Sequence, residues 1–264
     1  MITAGKVESM YLYATLLASD IFPFCHLPWR TLVLPIHRSE KDIRTKILDK
    51  ESVEENGHMQ MFNWLATIEN YWEASKERTK KTIYEWLNYD EKLSHQNPTV
   101  SYVVLYNAAG RGNLSSCFID LRKPIIKRIN GSEITLQGFI AEHKTYRYYP
   151  RSKEEGNYLI SILNSNMTFS LLRGIKSARD IEKKVWELPI PVFESTVQTH
   201  TSLSDLGKEC TEEATEILKE KIGHIEMVDV LQTATVGNLR KSIGDSLSHK
   251  LKEIDEIVLS LVRK

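Results

Sequence analysis

The 264-residue chain holds 41% hydrophobic and 27% charged residues, an ordinary globular balance with enough apolar side chains for a sizeable core. Lys plus Arg equals Asp plus Glu at 35 each, so whole-chain charge favours neither a nucleic-acid partner nor its absence. The three cysteines, odd in number and without CxxC spacing, suggest neither a disulfide framework nor a zinc site, and no run approaches the roughly 18 apolar residues of a membrane span; a reducing cytoplasm is the expected compartment.

In chain order, residues 1–36 alternate short apolar clusters with prolines, and Thr31-Leu-Val-Leu-Pro-Ile36 is the best strand of the first quarter. Residues 37–58 read as a loop or solvated helix. From 59 to about 96, Phe62, Leu65, Ile68, Tyr71, Trp72, Ile83, Trp86, Leu87 and Leu93 keep helical spacing, apart from a polar interval at 75–82 where the helix is expected to break. Asn97-Pro98 stops it. Aromatic stripes at helical spacing predict core.

Residues 100–150 are β-rich, with short strands expected at 100–106, 116–121, 124–128, 134–139 and 144–149. Asn130-Gly131 is a strong hairpin signal. The expectation is a curled antiparallel sheet. In 144–149, strand alternation sets Lys144, Tyr146 and Tyr148 on one face and Thr145, Arg147 and Tyr149 on the other, one face for the core and one for a ligand.

Residues 156–165 then read as a helix with Tyr158, Leu159, Ile162 and Leu163 on one stripe, ended by Asn164 and Ser165. A basic stretch follows, and Leu188-Pro-Ile-Pro191 must be extended because proline donates no backbone hydrogen bond and pushes its predecessor into extended geometry. After a polar linker at 194–202 come two helices. The first carries Leu203, Leu206, Cys210, Ala214 and Ile217. The second steps 4, 3, 4, 3 through Leu247, Leu251, Ile254, Val258 and Leu261, a coiled-coil seam that packs against its sibling or against a partner subunit's helix, homodimerisation included. Gly223, Gly237 and Gly244 interrupt the stretch before it.

Charge is unevenly distributed. Residues 122–184 hold 13 Lys and Arg against 6 Asp and Glu, a net of +7, whereas residues 201–264 hold 9 against 12, a net of −3. A local basic excess is the electrostatic footprint of a phosphate-binding surface, and a solvated face gives the same count.

The run Tyr158-Leu159, Leu163-Asn-Ser165, then Arg179-Asp180-Ile181, then Leu188-Pro-Ile-Pro191-x-Phe193 resembles the C-terminal target-recognition region of N6-adenine DNA methyltransferases of restriction-modification systems, similar also to type I specificity subunits. Val7-Glu-Ser-x-x-Leu-Tyr13, Ser19-Asp-Ile21, the strand Val103-Val-Leu-Tyr-Asn107 with its glycine turn, and Lys144-Thr-Tyr-Arg-Tyr-Tyr-Pro150 fall in the expected order. The resemblance implies an α+β target-recognition domain over residues 1–195 and a helical spacer or docking segment over 196–264. It also implies that duplex DNA and a methyltransferase subunit or domain are the partners, with S-adenosylmethionine held on that partner or missing domain.

The chain has no Pro-Pro dipeptide, and Asn97-Pro98-Thr99 lacks the second proline and aromatic of an adenine-binding catalytic segment, so no catalysis and no cofactor are expected of this chain. Gly110-Arg-Gly112 is more simply a hairpin turn than a nucleotide loop. Asp120 with Glu142-His-Lys144 mimics a magnesium nuclease set, but charged strand ends are ordinarily just solvated.

DNA recognition needs Arg, Lys, Asn and Gln at base edges and basic or hydroxyl groups on phosphates. Candidates are Lys144, Tyr146, Arg147 and Tyr148 on one strand, Arg173, Lys176, Arg179, Lys183 and Lys184 as a second cluster, and Arg111 at a loop tip. Arg179 serves equally as a structural ion-pair partner. Two other readings stay open: a piece of a fused enzyme, which an apolar patch on the first 60 residues would favour, and an adaptor that never touches DNA.

Overall fold

A computed structural model describes residues 5–37, 44–75, 80–107, 114–174, 185–223 and 233–262. In chain order the strands are β1 (Leu12–Thr15), β2 (Arg30–Val33), β3 (Ile36–His37), β4 (Lys46–Ile47), β5 (Tyr102–Asn107), β6 (Ser116–Asp120), β7 (Ile125–Ile129), β8 (Ser132–Leu136) and β9 (Thr145–Tyr148). The helices are α1 (Lys50–Glu55), α2 (Met59–Ser75), α3 (Ile83–Leu87), α4 (Lys153–Asn164), α5 (Asn166–Gly174), α6 (Gln198–Ile222), α7 (Thr233–Ser246) and α8 (Ser248–Val262). The fold is α+β, with antiparallel sheets that are short and unclosed.

The chain forms two compact units. The first takes Met1–Thr15, Trp29–Thr99 and Lys123–Ile140; the second takes Leu16–Pro28, Val100–Arg122 and Ala141–Lys264. The boundary expected at 195–196 is therefore replaced. Helix α6 packs against α4 within one core, so the C-terminal segment is no separate spacer.

In the first unit β1 pairs with β2, Leu12 lying opposite Val33. The strand expected at 31–36 divides at Pro35, which has no N–H to continue the ladder, and β3 pairs instead with β4. Strands β7 and β8 form a hairpin across Asn130 and Gly131, with φ of 49° and 83°, the left-handed pair that a two-residue type I′ turn requires. This hairpin belongs to the first unit, so the five expected strands do not make one sheet.

Helix α2 buries only Met61 and Leu65, against Tyr11, Leu48 and Val53. The expected aromatic core stripe is corrected here: Trp86 is 51% exposed and Tyr71 42%. Trp72, Trp86 and Tyr89 instead meet one another, with centroids 5.8 and 5.7 Å apart, and Trp72 Nε1 donates to the Lys81 carbonyl at 3.0 Å. The helix does break in the expected polar interval, restarting at α3 behind a Thr82–Glu85 capping box.

In the second unit β5 is the centre of a three-stranded antiparallel sheet, ordered β6-β5-β9. Ser152 caps α4 by accepting the Glu155 N–H at 3.1 Å, and Glu154 and Glu155 occupy the first turn, where the helix dipole favours acids. The helix presents Gly156 to the Phe118 ring of β6 and Ser161 to α6, where Ser161 Oγ donates to the Leu203 carbonyl at 2.7 Å. Two faces are thus covered, and Ile160 is as buried as the expected stripe residue Tyr158. Gly237 and Gly244 lie inside α7 and do not interrupt it.

Leu247, Leu251, Ile254 and Val258 are buried in this unit's own core, and Leu261 packs at its edge. Helix α8 contacts α4, α5, α6 and α7. Of the two occupants the sequence left open for the seam, the sibling helices bury four of its five side chains, Leu261 remaining partly exposed.

Candidate nucleic-acid interface

Strand β9 is one of the two outer strands of its sheet among the described residues, with Thr145 opposite Asn107, Tyr146 opposite Tyr106, Arg147 opposite Leu105 and Tyr148 opposite Val104. Thr145 is buried and its Oγ1 donates to the Glu142 carbonyl at 2.7 Å. Tyr146 stacks on Tyr106, with ring centroids 5.2 Å apart and planes at 11°, a half-buried position inside the unit. The strand ends at Tyr148, and there the expected alternation is lost: Tyr148 and Tyr149 are both exposed. Arg147 Nε donates to Tyr149 Oη at 2.9 Å. Among the described residues, neither Lys144 nor Arg147 has a carboxylate partner, so both charges remain available to a ligand.

Two carboxylates organise the turn from β9 into α4. Glu155 is 4% exposed, and it accepts from the Arg151 backbone N–H at 2.6 Å, Arg151 Nε at 3.3 Å and Tyr148 Oη at 3.1 Å. Burial and the neighbouring Glu155 charge push the Tyr148 hydroxyl pKa up. The Glu155 hydrogen bond raises the Arg151 guanidinium. On β6, Asp120 takes Arg122 along both of its oxygens at 3.0 Å and Lys153 Nζ at 2.8 Å. The Arg122 hydrogen bond, seconded by Lys153, holds the Asp120 carboxyl well below the usual carboxylate range despite an opposing cost of burial. The Arg122 guanidinium also lies 5.0 Å from the Tyr102 ring centroid.

Beside Glu155 lies an apolar cavity of about 260 Å³, lined by Val104, Tyr106, Leu159, Ile190 and Phe193 among others. Leu188, Ile190 and Pro191 also line it, and the expected extended run 188–191 contains a tight turn in which the Ile190 N–H donates to the Leu188 carbonyl at 2.8 Å. Tyr158 Oη donates to the Pro191 carbonyl at 3.0 Å, and the Phe193 ring meets Tyr158 at 5.5 Å. His200 completes this aromatic group, its ring 4.9 Å from Tyr158 and its Nδ1 accepting the Glu194 N–H at 3.1 Å. Leu159, Leu163, Leu188, Ile190, Pro191 and Phe193 of the motif thus line a cavity with Val104 and Tyr106 of β5, whereas Arg179-Asp180-Ile181 lies outside the described residues.

Of the candidate DNA-binding residues, Lys144, Tyr146, Arg147 and Tyr148 come together on β9 and its lead-in. Arg111, Lys176, Arg179, Lys183 and Lys184 lie outside the described residues, and Arg173 is described only as part of the α5 backbone. The nuclease-like set does not assemble. Asp120 lies opposite Tyr102 at one end of β5, whereas Glu142 precedes the β9 residue opposite Asn107 at the other. At about 3.4 Å per residue those ends are roughly 17 Å apart, too far for one metal ion. Glu142 instead accepts the Ala18 N–H at 3.1 Å.

Sequence reasoning missed Glu155, Arg151, Arg122 and Lys153. Their signal was the Ser152 cap with acids in the first turn, which fixes a helix start and brings flanking basic residues to one corner. It also missed Arg240 of α7, whose guanidinium donates to the Ile21 carbonyl at 2.7 Å and the Ala18 carbonyl at 3.1 Å. Burial pushes its pKa down, while Asp20 opposes the shift. No helix among the described residues is long and apolar enough to cross a membrane, and no group of three metal-ligating side chains occurs among them.

No family model matches the chain, and no curated protein or solved structure matches it.

Proposed function

We propose that this chain is a sequence-specific duplex DNA-binding module that directs an associated N6-adenine methyltransferase or restriction enzyme to its target and does not itself catalyse. One observation carries the reading: an outer strand and its lead-in, whose two cations, Arg147 and Lys144, have no carboxylate partner among the described residues and stand near exposed Tyr148 and Tyr149. Basic side chains interleaved with aromatics supply phosphate contacts and stacking or edge contacts at once. The basic excess of residues 122–184 and the order of the motifs agree with it. S-adenosylmethionine belongs, in this reading, to the partner subunit or domain.

The test is selection from a randomised duplex pool with the bound DNA sequenced, and calorimetry with S-adenosylmethionine on the same sample. Enrichment of a short motif without cofactor binding supports a specificity module. An absence of duplex binding at low salt removes the reading.

A further inference from the structure

Beyond β9 itself, the corner where β9 turns into α4 carries two arginines held in an unusual way. Arg151 is 70% exposed at its side chain, yet one edge of its guanidinium rests on Glu155, which is 6% exposed there. Arg122 is half exposed and lies along Asp120 by Nε and Nη2, over the face of Tyr102. In each case the carboxylate engages Nε and one terminal nitrogen while the side chain stays at least half exposed, and Glu154 adds a second negative charge near Arg122.

An arginine fixed along one edge loses less side-chain freedom when its other edge meets an oxyanion, and its planar fork matches a phosphate. Lys153, the first residue of α4, joins the same corner through Asp120. Glu155 also binds the hydroxyl of Tyr148 on β9, so the strand and the corner are set by one buried group.

We propose that this corner is a second phosphate-binding site, in which Arg151 and Arg122 contact the nucleic-acid backbone and Glu155 and Asp120 act as positioning residues for them. The ligand class is a nucleic-acid phosphate diester, and the proposal rests on the reading of the chain as a DNA-binding module. It extends the DNA track from Lys144 and Arg147 along the strand to the start of α4. Phosphate contacts fix register without reading bases, so the corner sets how the β9 side chains meet the duplex and leaves the choice of sequence to them.

The experiment is a salt titration of binding to a labelled random-sequence duplex by the full chain and its variants Arg151→Ala, Arg122→Ala and Glu155→Gln. Lys219→Ala, which removes an exposed cation from α6, serves as the control for net charge. Each arginine variant is expected to lower affinity about fivefold at moderate salt and to reduce the salt slope by about 0.9, one phosphate each, with the selected motif unchanged. Lys219→Ala is expected to leave the slope as it was.

Glu155→Gln gives the sharper reading, because Coulomb's law alone predicts that removing a negative charge beside a phosphate strengthens binding. Positioning predicts the opposite, a loss of about the same size as Arg151→Ala. Should Glu155→Gln fail to fold, Asp120→Asn puts the same question to a carboxylate that is 26% exposed. Unchanged slopes in both arginine variants, or tighter binding by the carboxylate variant, overturn the corner while wild-type binding leaves the module reading standing. A wild-type chain that binds no duplex removes both.

Discussion

Gly207→Ala tests whether the C-terminal helices belong to the core. Gly207 lies on the face of α6 that meets α4, and a methyl group there falls inside contact distance of the Asn157 carbonyl oxygen and Ser161 Oγ, with the Asn157 carbonyl carbon 3.0 Å away. Helix propensity by itself favours Ala over Gly by about 0.8–1.0 kcal/mol. Overpacking costs about 1–3 kcal/mol, and displacing the buried Ser161–Leu203 hydrogen bond about 1–3 more. The expected net loss is roughly 1–5 kcal/mol, at about 2–4 °C of Tm per kcal/mol for a chain approaching this size. Gly237→Ala in α7 is the matched control, since nothing lies within 4 Å of the added carbon and propensity alone should raise stability by about 1 kcal/mol. Calorimetry or urea denaturation followed by circular dichroism reads both. If Gly207→Ala is as stabilising as Gly237→Ala, the close approach of α6 to α4 is refuted, and with it the single core that α4 and α6 share.

Ile254→Ala, at a side chain with no exposure, should cost about 2–5 kcal/mol by urea denaturation, with a midpoint independent of protein concentration; a concentration-dependent midpoint would return the seam to an intermolecular role. Asp120 has a folded pKa below its unfolded one, so its stabilising effect is full above the ordinary carboxylate value and is lost as pH falls below it. The stability gap between wild type and Asp120→Asn should therefore be constant near neutrality and narrow below about pH 4, and a gap that widens on acidification contradicts the Arg122–Asp120 contact. Burial pushes the Cys25 and Cys210 thiols up to about 12 and raises Cys117 as well. A chromogenic thiol reagent should label none of the three rapidly in the native protein and all three in denaturant, and fast native labelling of any would overturn its burial.

Local chemistry was the legible part of the fold. Asn130-Gly131 specified its hairpin because both positions demand positive φ, and the five strands between residues 100 and 150 sit close to where pattern and turn residues put them. Pro35 was visible in the sequence, yet its consequence, two short strands with different partners, depends on β1 and β4 arriving from elsewhere. Pairing between distant segments was not legible. Strand β9 joins β5 across an inserted hairpin that belongs to the other unit, and nothing in the period of either strand records that.

Helical spacing likewise says which residues share a face without saying what meets it. That is why the spacing marks the seam through Ile254 without its occupant, and why Trp86 reads as core although its neighbours are two other rings and solvent. At the candidate interface, basic–aromatic alternation marks β9, but the burial of Glu155 is not legible because a glutamate in a first helical turn is ordinarily exposed. Its burial follows from the Arg151 and Tyr148 donors that surround it.

The central claim is that β9 is a DNA-contacting strand, and its most direct test is the salt dependence of duplex binding by wild type and by Lys144→Ala/Arg147→Ala. If both cations bind phosphates, removing them should flatten the slope of log affinity against log salt by about 1.8, with affinity down by roughly one to two orders of magnitude at low salt. A double variant with the wild-type slope and affinity would contradict the claim and leave the β9 cations as a solvated edge.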